Sequence, residues 1–352
     1  MGMRVLVIDD SAFNRQALAR IIGSLPAVGE VATAVDGLDG CRQAIIFDPD
    51  LIVLDLEMPN IDGLSFLRLR KGFLKDIPVI VASGRRSAGD SEAAFRLGAI
   101  DFIERPTAGA SRKIFDISEE LSRMIEAASL PLSVAQGAQS VEARRRRPMC
   151  LPVSGCPSAI AIGASTGGPG AVSTIVKSLP AGLASAVVVS MHMPGWMTVP
   201  FAEGLDSISE VDVLVAEHEG TVGRGSVLIV PGGFHISFER ETGGTVRTLL
   251  SRKAATENCS PSIDRMFSSA SDIWGSGLVG VVLTGMGTDG SAGAIKVKQS
   301  GGFLIAESRA SSSVFSMPQA AIDTGMVDLV LGADEIAGWI AGRCAPRPLK
   351  LA

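Results

Sequence analysis

Histidine is scarce in this chain: His192, His218 and His235 are the whole supply in 352 residues. Chemistry that needs an imidazole base must therefore be found at one of these three places. The five cysteines (Cys41, Cys150, Cys156, Cys259 and Cys344) are odd in number and form no C-x-x-C pair. That pattern argues against a disulfide framework and a zinc site, and suits a reducing compartment. Long apolar runs are missing, since none reaches the roughly 18 to 20 residues that a membrane-spanning helix needs. The early MRVLVI runs straight into Asp9-Asp10, which is not how a signal peptide ends. The expected location is the cytoplasm, without insertion into a membrane. Positive charge is not in excess either: 32 Lys and Arg stand against 37 Asp and Glu, a formal net charge of -5. Nothing in that balance suggests nucleic-acid binding.

What is present is an ordinary globular composition, 46% hydrophobic and 20% charged, in a chain long enough for two cores. From Met3 to about Ala127, Val- and Ile-rich runs alternate with amphipathic ones (MRVLVI, SAFNRQALARII, VATAV, GLDGCRQAIIF, LIVLDL and onward). This alternation predicts an α/β domain over 1–127 with a doubly wound parallel sheet covered on both faces. Ligands of such sheets sit at the carboxyl ends of the strands. Asp9 and Asp10 follow the first strand, Asp55 ends the third, Ser83 closes the fourth and Arg105 lies just after the fifth. Three carboxylates at one edge repel one another unless a cation joins them, and hard oxygen ligands suit magnesium. With a metal in place, one carboxylate can attack a phosphoryl donor. The plainer alternative makes Asp10 a helix N-cap and Asp55 a solvated strand end.

Four motifs, VIDDS, LIVLDLEMPNIDG, VIVAS and DFIERP, make this segment resemble a response-regulator receiver domain of flavodoxin-like fold. The resemblance implies that Asp55 accepts phosphate from a histidine kinase, with Mg2+ held by Asp9, Asp10 and Asp55, and that Ser83, Phe102 and Arg105 transmit the change. The family has lysine where Arg105 stands. Arginine keeps the charge but replaces a compact ammonium by a planar fork.

Periodicity fails over 128–157, where Pro, Gly, Ser and Gln dominate around the basic run Arg144–Arg147. That stretch reads as a linker. Strand and helix signals resume from Ser158 (SAIAIGA, AVSTIVKSL, SAVVVSMH, VLIVPGG, GLVGVVLTGMG, SAGAIKVKQSGG, FLIAES, MVDLVL) and predict a second, mainly parallel α/β domain over 158–345. Its first strand runs into GASTGGPG, where Gly163, Ser165 and Gly167 have the G-x-S-x-G spacing of a serine presented on a tight strand-to-helix turn. A P-loop is disfavoured, because Pro169 follows Gly168 where the phosphate-binding lysine should stand. A serine nucleophile needs a base and an orienting acid. His192 follows the strand SAVVVSM, and Asp289 follows GLVGVVLT in LTGMGTDG, so both fall on the edge that carries Ser165. The same turn also fits G-x-G-x-x-G through Gly285, Gly287 and Gly290, with Glu307 where a ribose-binding acid belongs. A dinucleotide site is thus a rival reading, although Asp289 would place a negative charge where a pyrophosphate should sit.

GASTGGPG, SMHMPGW, VPGGFH, CSPSID, LTGMGTDGSAG and SSSVFSMP, in that order, make the second domain resemble the catalytic domain of the CheB protein-glutamate methylesterases of chemotaxis. The resemblance implies that Ser165 is the nucleophile, His192 the base and Asp289 the orienting acid. It adds the Met286 N–H as an oxyanion donor and Thr166 as support for the histidine, with no cofactor for the esterase. It further implies methyl-accepting chemoreceptors as substrates, with glutamine deamidation as a second activity. Four positions depart from the family pattern: Ser190 replaces a glutamine, Ser260 an arginine, Glu307 a glutamine and Ser316 a glycine. A reading from another class is a signalling adaptor whose hydrolase fold is inactive.

Overall fold

The computed structural model describes residues 2–70, 77–84, 88–104, 121–122, 124–125, 156–252 and 260–344. Arg105, almost all of the predicted linker, Cys150 and Cys259 lie outside the described residues.

The first sheet is built from β1 (Met3–Ile8), β2 (Val28–Ala34), β3 (Leu51–Leu54), β4 (Val79–Ser83) and β5 (Asp101–Glu104). Between them lie α1 (Ala12–Gly23), α2 (Gly37–Phe47), α3 (Gly63–Arg70) and α4 (Ala88–Arg96). All strand pairs are parallel, in the order β2-β1-β3-β4-β5, the flavodoxin-like arrangement. β3 and β4 are buried along their whole length, as expected of strands covered on both faces. α1 is capped by Ser11, whose hydroxyl accepts the Asn14 N–H. Asp10 is therefore not the N-cap that the plainer reading made it.

The second domain begins with β6 (Ala159–Ala164), α5 (Gly168–Lys177), β7 (Ala186–Met191), α6 (Gly195–Asp206), β8 (Asp212–Val215) and β9 (Ser226–Ile229). A hairpin of β10 (Phe234–Arg240) and β11 (Val246–Arg252) follows. The chain continues through α7 (Ile263–Trp274), β12 (Leu278–Val282), α8 (Ser291–Gln299), β13 (Phe303–Glu307), α9 (Ser316–Asp323), β14 (Leu329–Leu331) and α10 (Ala333–Cys344). Its seven-stranded sheet has the order β14-β13-β12-β6-β7-β9-β8 with every pair parallel. The antiparallel β10–β11 pair stands apart as a two-stranded sheet.

This order fixes the place of the site. From β6 the chain builds outward through β7 and β9, then returns to lay β12 against the other side of β6. The loops after β6 and β12 therefore diverge, leaving a crevice at the carboxyl edge, the topological switch point where such folds bind ligands. α7 closes the crevice from one face. Ile263, Met266, Phe267 and Ala270 form its buried stripe, at the i, i+3, i+4, i+7 spacing of an amphipathic helix.

Candidate active site

Ser165 leaves β6 on a turn that the neighbouring strand holds. The Ser165 N–H donates to the Thr284 carbonyl at 3.0 Å, and the Ser165 carbonyl accepts the Gly168 N–H at 2.7 Å. Gly167 has φ 79°, a left-handed conformation that glycine adopts without a Cβ penalty, and Pro169 falls in the first turn of α5, where its missing N–H costs nothing. Gly285 is needed for a different reason: a Cβ there would collide with the Met317 sulfur and lie 2.7 Å from the Ser165 Cβ.

His192 comes one residue after β7, and its N–H donates to the Ala164 carbonyl at 3.1 Å. Its Nδ1 lies 3.2 Å from the Ser165 Oγ and its Nε2 lies 2.8 Å from Asp289 Oδ2. The carboxylate acceptor fixes the tautomer. Nε2 carries the proton and donates it to Asp289, leaving the Nδ1 lone pair free to accept from the serine.

Asp289 is held on both oxygens. Oδ2 also accepts the Ile263 N–H at 2.8 Å, and Oδ1 accepts the N–H groups of Asp264 at 2.9 Å and Gly290 at 3.1 Å. The Ser262 hydroxyl reaches Oδ1 at 3.3 Å. Burial alone would raise this carboxyl, but the hydrogen bonds from His192, Ile263 and Asp264 outweigh it and hold Asp289 below the ordinary carboxylate value.

The other two histidines are spent on backbone. His218 Nδ1 accepts the Leu250 N–H at 3.0 Å, and the buried His235 accepts the Ser262 N–H through Nδ1, also at 3.0 Å. Thr166 is buried next in sequence to Ser165, and its carbonyl accepts the Thr284 hydroxyl at 2.9 Å. Both nitrogens of the His192 ring already have partners in Ser165 and Asp289.

Met286 lies on the turn after β12. The Ser316 hydroxyl spans that residue, accepting the Gly287 N–H at 2.9 Å and donating to the Gly285 carbonyl at 3.0 Å. This brace uses the hydroxyl at the position where the family has glycine.

Glu307, at the end of β13, is 1% exposed, accepts the Thr284 N–H at 2.7 Å and accepts the Ser311 hydroxyl at 2.7 Å. It secures the turn that carries Gly285 and Met286, at a cost. Burial, only partly offset by these two bonds, raises its carboxyl above the ordinary glutamate value of 4.5. The native state then binds this proton more tightly than the unfolded chain, so stability falls as pH climbs from the ordinary value through the raised one. Glu307→Gln keeps an acceptor for Thr284 and removes the charge. The variant should melt higher than wild type at pH 8, with the gap narrowing at pH 5. Thermal melts at both pH values check this, and equal gaps would show that the carboxylate charge has no such effect.

At the carboxyl edge of the first sheet, oxygens of Asp9, Asp10 and Asp55 lie within 4.8 Å of one another. Asp9 and Asp55 are buried and Asp10 is exposed. Such an all-carboxylate oxygen set fits a hard divalent cation. Ser83 is buried at the end of β4 on this edge, and Phe102 is buried on β5. The two domains touch beside the crevice: the Gly167 N–H donates to the Ile100 carbonyl at 2.9 Å. The Phe102 ring also meets Trp196 edge-on, with centroids 5.6 Å apart and planes at 70°.

The sequence singles out CSPSID but gives no task to Ser262 or Asp264, and none to Thr284. A Ser followed two residues later by Asp at a helix start is a capping signal, and it was available in the sequence.

The CheB methylesterase family model matches residues 160–340, and the response regulator receiver domain model matches 5–113. The chain is 38% identical over 364 residues to protein-glutamate methylesterase/protein-glutamine glutaminase 3 of Geobacter sulfurreducens, covering 97% of each chain. It is 37% identical to the Thermotoga maritima protein-glutamate methylesterase/protein-glutamine glutaminase, over 95% of this chain and 96% of the relative. The crystal structure of the Thermotoga maritima CheB methylesterase catalytic domain superposes with a TM-score of 0.51 at 39% identity, covering 54% of this chain and 99% of that one.

Proposed function

Because this chain belongs to the CheB methylesterase family and carries a receiver domain in front of the esterase, we propose that it is a phosphorylation-controlled serine hydrolase of chemotaxis adaptation. In this reading it works in the cytoplasm and removes methyl groups from γ-methyl glutamate esters of methyl-accepting chemoreceptors. It also deamidates receptor glutamines. The observation that carries the reading is the Ser165–His192–Asp289 relay at the switch point of the second sheet. Methanol release from methylated receptor, measured with and without a small phosphoryl donor, tests it. No release under either condition would refute it.

In this reading each group has a step. Ser165 Oγ attacks the ester carbonyl while His192 Nδ1 takes its proton. The imidazolium that forms is stabilised by Asp289. Charge developing on the carbonyl oxygen is met by backbone N–H groups at the crevice, with Met286 the assigned donor. His192 then returns the proton to the departing methanol. Water, deprotonated by the same imidazole, attacks the acyl-enzyme and releases glutamate and Ser165. From a glutamine amide the same sequence releases ammonia. The dinucleotide reading fits poorly, because the helix start it needs is filled: the Gly290 N–H is already directed at the carboxylates of Asp264 and Asp289.

In the receiver, Asp9, Asp10 and Asp55 would hold a divalent cation, magnesium in our reading, whose charge offsets that of donor and acceptor during transfer from a chemotaxis histidine kinase to Asp55. Control then acts through contact. Ile100 sits on Gly167, two residues from Ser165, and Phe102 on Trp196, four residues from His192. In this position the receiver limits access to the crevice. If phosphorylation of Asp55 weakens the contact by about 1.4 kcal/mol, the open fraction rises about tenfold while it remains small. A truncated chain beginning at Ser158 should therefore outpace the full chain, and a phosphoryl donor with magnesium should speed only the full chain. Arg105→Lys should increase that activation by restoring the family's compact ammonium. Methanol-release rates of the three proteins check this, and equal basal rates for full and truncated chains would refute inhibition by the receiver.

A further inference from the structure

Two helices start side by side in the second domain, and each is capped by an aspartate that belongs to the other. Asp289, in the turn leading to α8, accepts the N–H groups of Ile263 and Asp264 at the start of α7. Asp264, the second residue of α7, accepts the N–H groups of Gly290 at 2.9 Å and Gly293 at 2.6 Å at the start of α8 through Oδ1. The free N–H groups of a helix start attract a carboxylate both as donors and through the helix dipole. Here that attraction is exchanged between two helices, and one of the exchanged carboxylates is the group that orients His192.

We infer that Asp264 is the positioning residue of the triad's acid: by capping α8 it fixes the turn that carries Asp289, and it adds a second negative charge behind the Asp289–His192 hydrogen bond. This inference rests on the esterase reading of Ser165, His192 and Asp289. The closeness of the two α7–α8 starts is permitted by Gly293, where a Cβ would lie 2.6 Å from the Phe267 Cβ and 3.0 Å from the Asp264 Cα. Burial, together with the charge of Asp289, raises the Asp264 carboxyl, against the pull of the Gly293 and Gly290 N–H groups.

Among the described residues, other charges near the pair are few. β6, β7 and β12 carry none (AIAIGA, AVVVSM, LVGVV). β10 contributes His235, at Ser262, with Glu239 and Arg240 at its far end. On α7, Arg265 is exposed, and on α8, Lys296 and Lys298 pair with Asp272 and Asp328. The imidazole of His192 is thus the group that feels the loss of the Asp264 charge most directly.

The test is the rate at which a fluorophosphonate probe labels Ser165 in the full chain, followed against pH, with melting curves to verify folding. Asp264→Ala removes cap and charge, and should slow labelling at neutral pH at least about tenfold, since a small misplacement of a catalytic group can cost that much or more. Asp264→Asn keeps the Oδ1 acceptor and removes only the charge. It should label near the wild-type rate at neutral pH, and its acid limb should move to lower pH because imidazolium has lost a nearby anion. A folded Asp264→Ala that labels at the wild-type rate overturns the inference, as does an Asp264→Asn acid limb that superimposes on wild type. If Asp264→Ala fails to fold, the Asp264→Asn profile decides alone. Absence of labelling in the wild type would instead count against the esterase reading.

Discussion

Ser165→Ala is expected to leave the chain folded and to reduce methanol release by about 10³-fold or more. The bonds that hold the turn are made by the Ser165 N–H and carbonyl, both of which alanine keeps. The hydroxyl contributes a hydrogen bond to His192 Nδ1 at 3.2 Å, so its loss removes the nucleophile and little of the packing. What survives is the environment: His192 still poised against Asp289, and backbone N–H groups still directed at the crevice. These can assist direct attack by water, which accounts for a residual rate above the uncatalysed one. Methanol release from methylated receptor, read alongside a melting curve, separates lost chemistry from lost structure. A variant that turns over at an undiminished rate would move the nucleophile elsewhere. An adaptor with an inactive hydrolase fold predicts no difference between the two proteins, because neither would release methanol.

Much of this arrangement was legible in the sequence, and for a specific reason. In a parallel sheet every strand delivers its following loop to the same edge, so Ser165, His192 and Asp289 could be placed together from the three apolar runs that precede them. The aspartates of the first sheet were legible by the same rule. Contacts that run between loops were not. Asp264 and Gly290 are 26 residues apart and meet only because α7 lies across β6 and β12. Nothing in ASP-x-x spacing announces a cap supplied by another helix. Glu307 read as a possible ribose ligand, since an acid at a strand end looks the same in sequence whether it faces a ligand or a backbone N–H. Its bonds to Thr284 and Ser311 give it a structural task instead. β10 and β11 were missed as a pair: β10 begins at the turn that drew attention to His235, and its last two residues, Glu239 and Arg240, are exposed. The sense of the His192 ring, with Nδ1 toward serine, also has no signature in the chain.

Asp289→Asn should cost about 10⁴-fold in turnover, and the structure says why an amide cannot substitute for this carboxylate. Both oxygens face donors: Oδ2 meets His192 Nε2–H and the Ile263 N–H, while Oδ1 meets the N–H groups of Asp264 and Gly290. An asparagine must turn its NH₂ group toward one of these sets. Turned toward His192, it favours the tautomer with the proton on Nδ1, and that nitrogen can no longer accept from Ser165. Turned toward Oδ1, it points a donor at two backbone N–H groups that cannot rotate away. Either choice leaves a buried donor unpaired, so stability should also fall, by about 1 to 3 kcal/mol. The pH dependence carries the same information. Asp289 is held below its ordinary value despite burial, so its contribution to stability is present above the ordinary carboxylate range and is lost as pH falls through the depressed native value. In Asp289→Asn that component disappears, and the variant's deficit should shrink in acid. The rival dinucleotide reading predicts the opposite of an impaired protein: removal of a negative charge from a pyrophosphate cradle would tighten nucleotide binding. Titration calorimetry with a nicotinamide dinucleotide distinguishes the two. Tight binding that strengthens in Asp289→Asn, with methanol release unaffected, would overturn the assignment of Asp289 as the orienting acid.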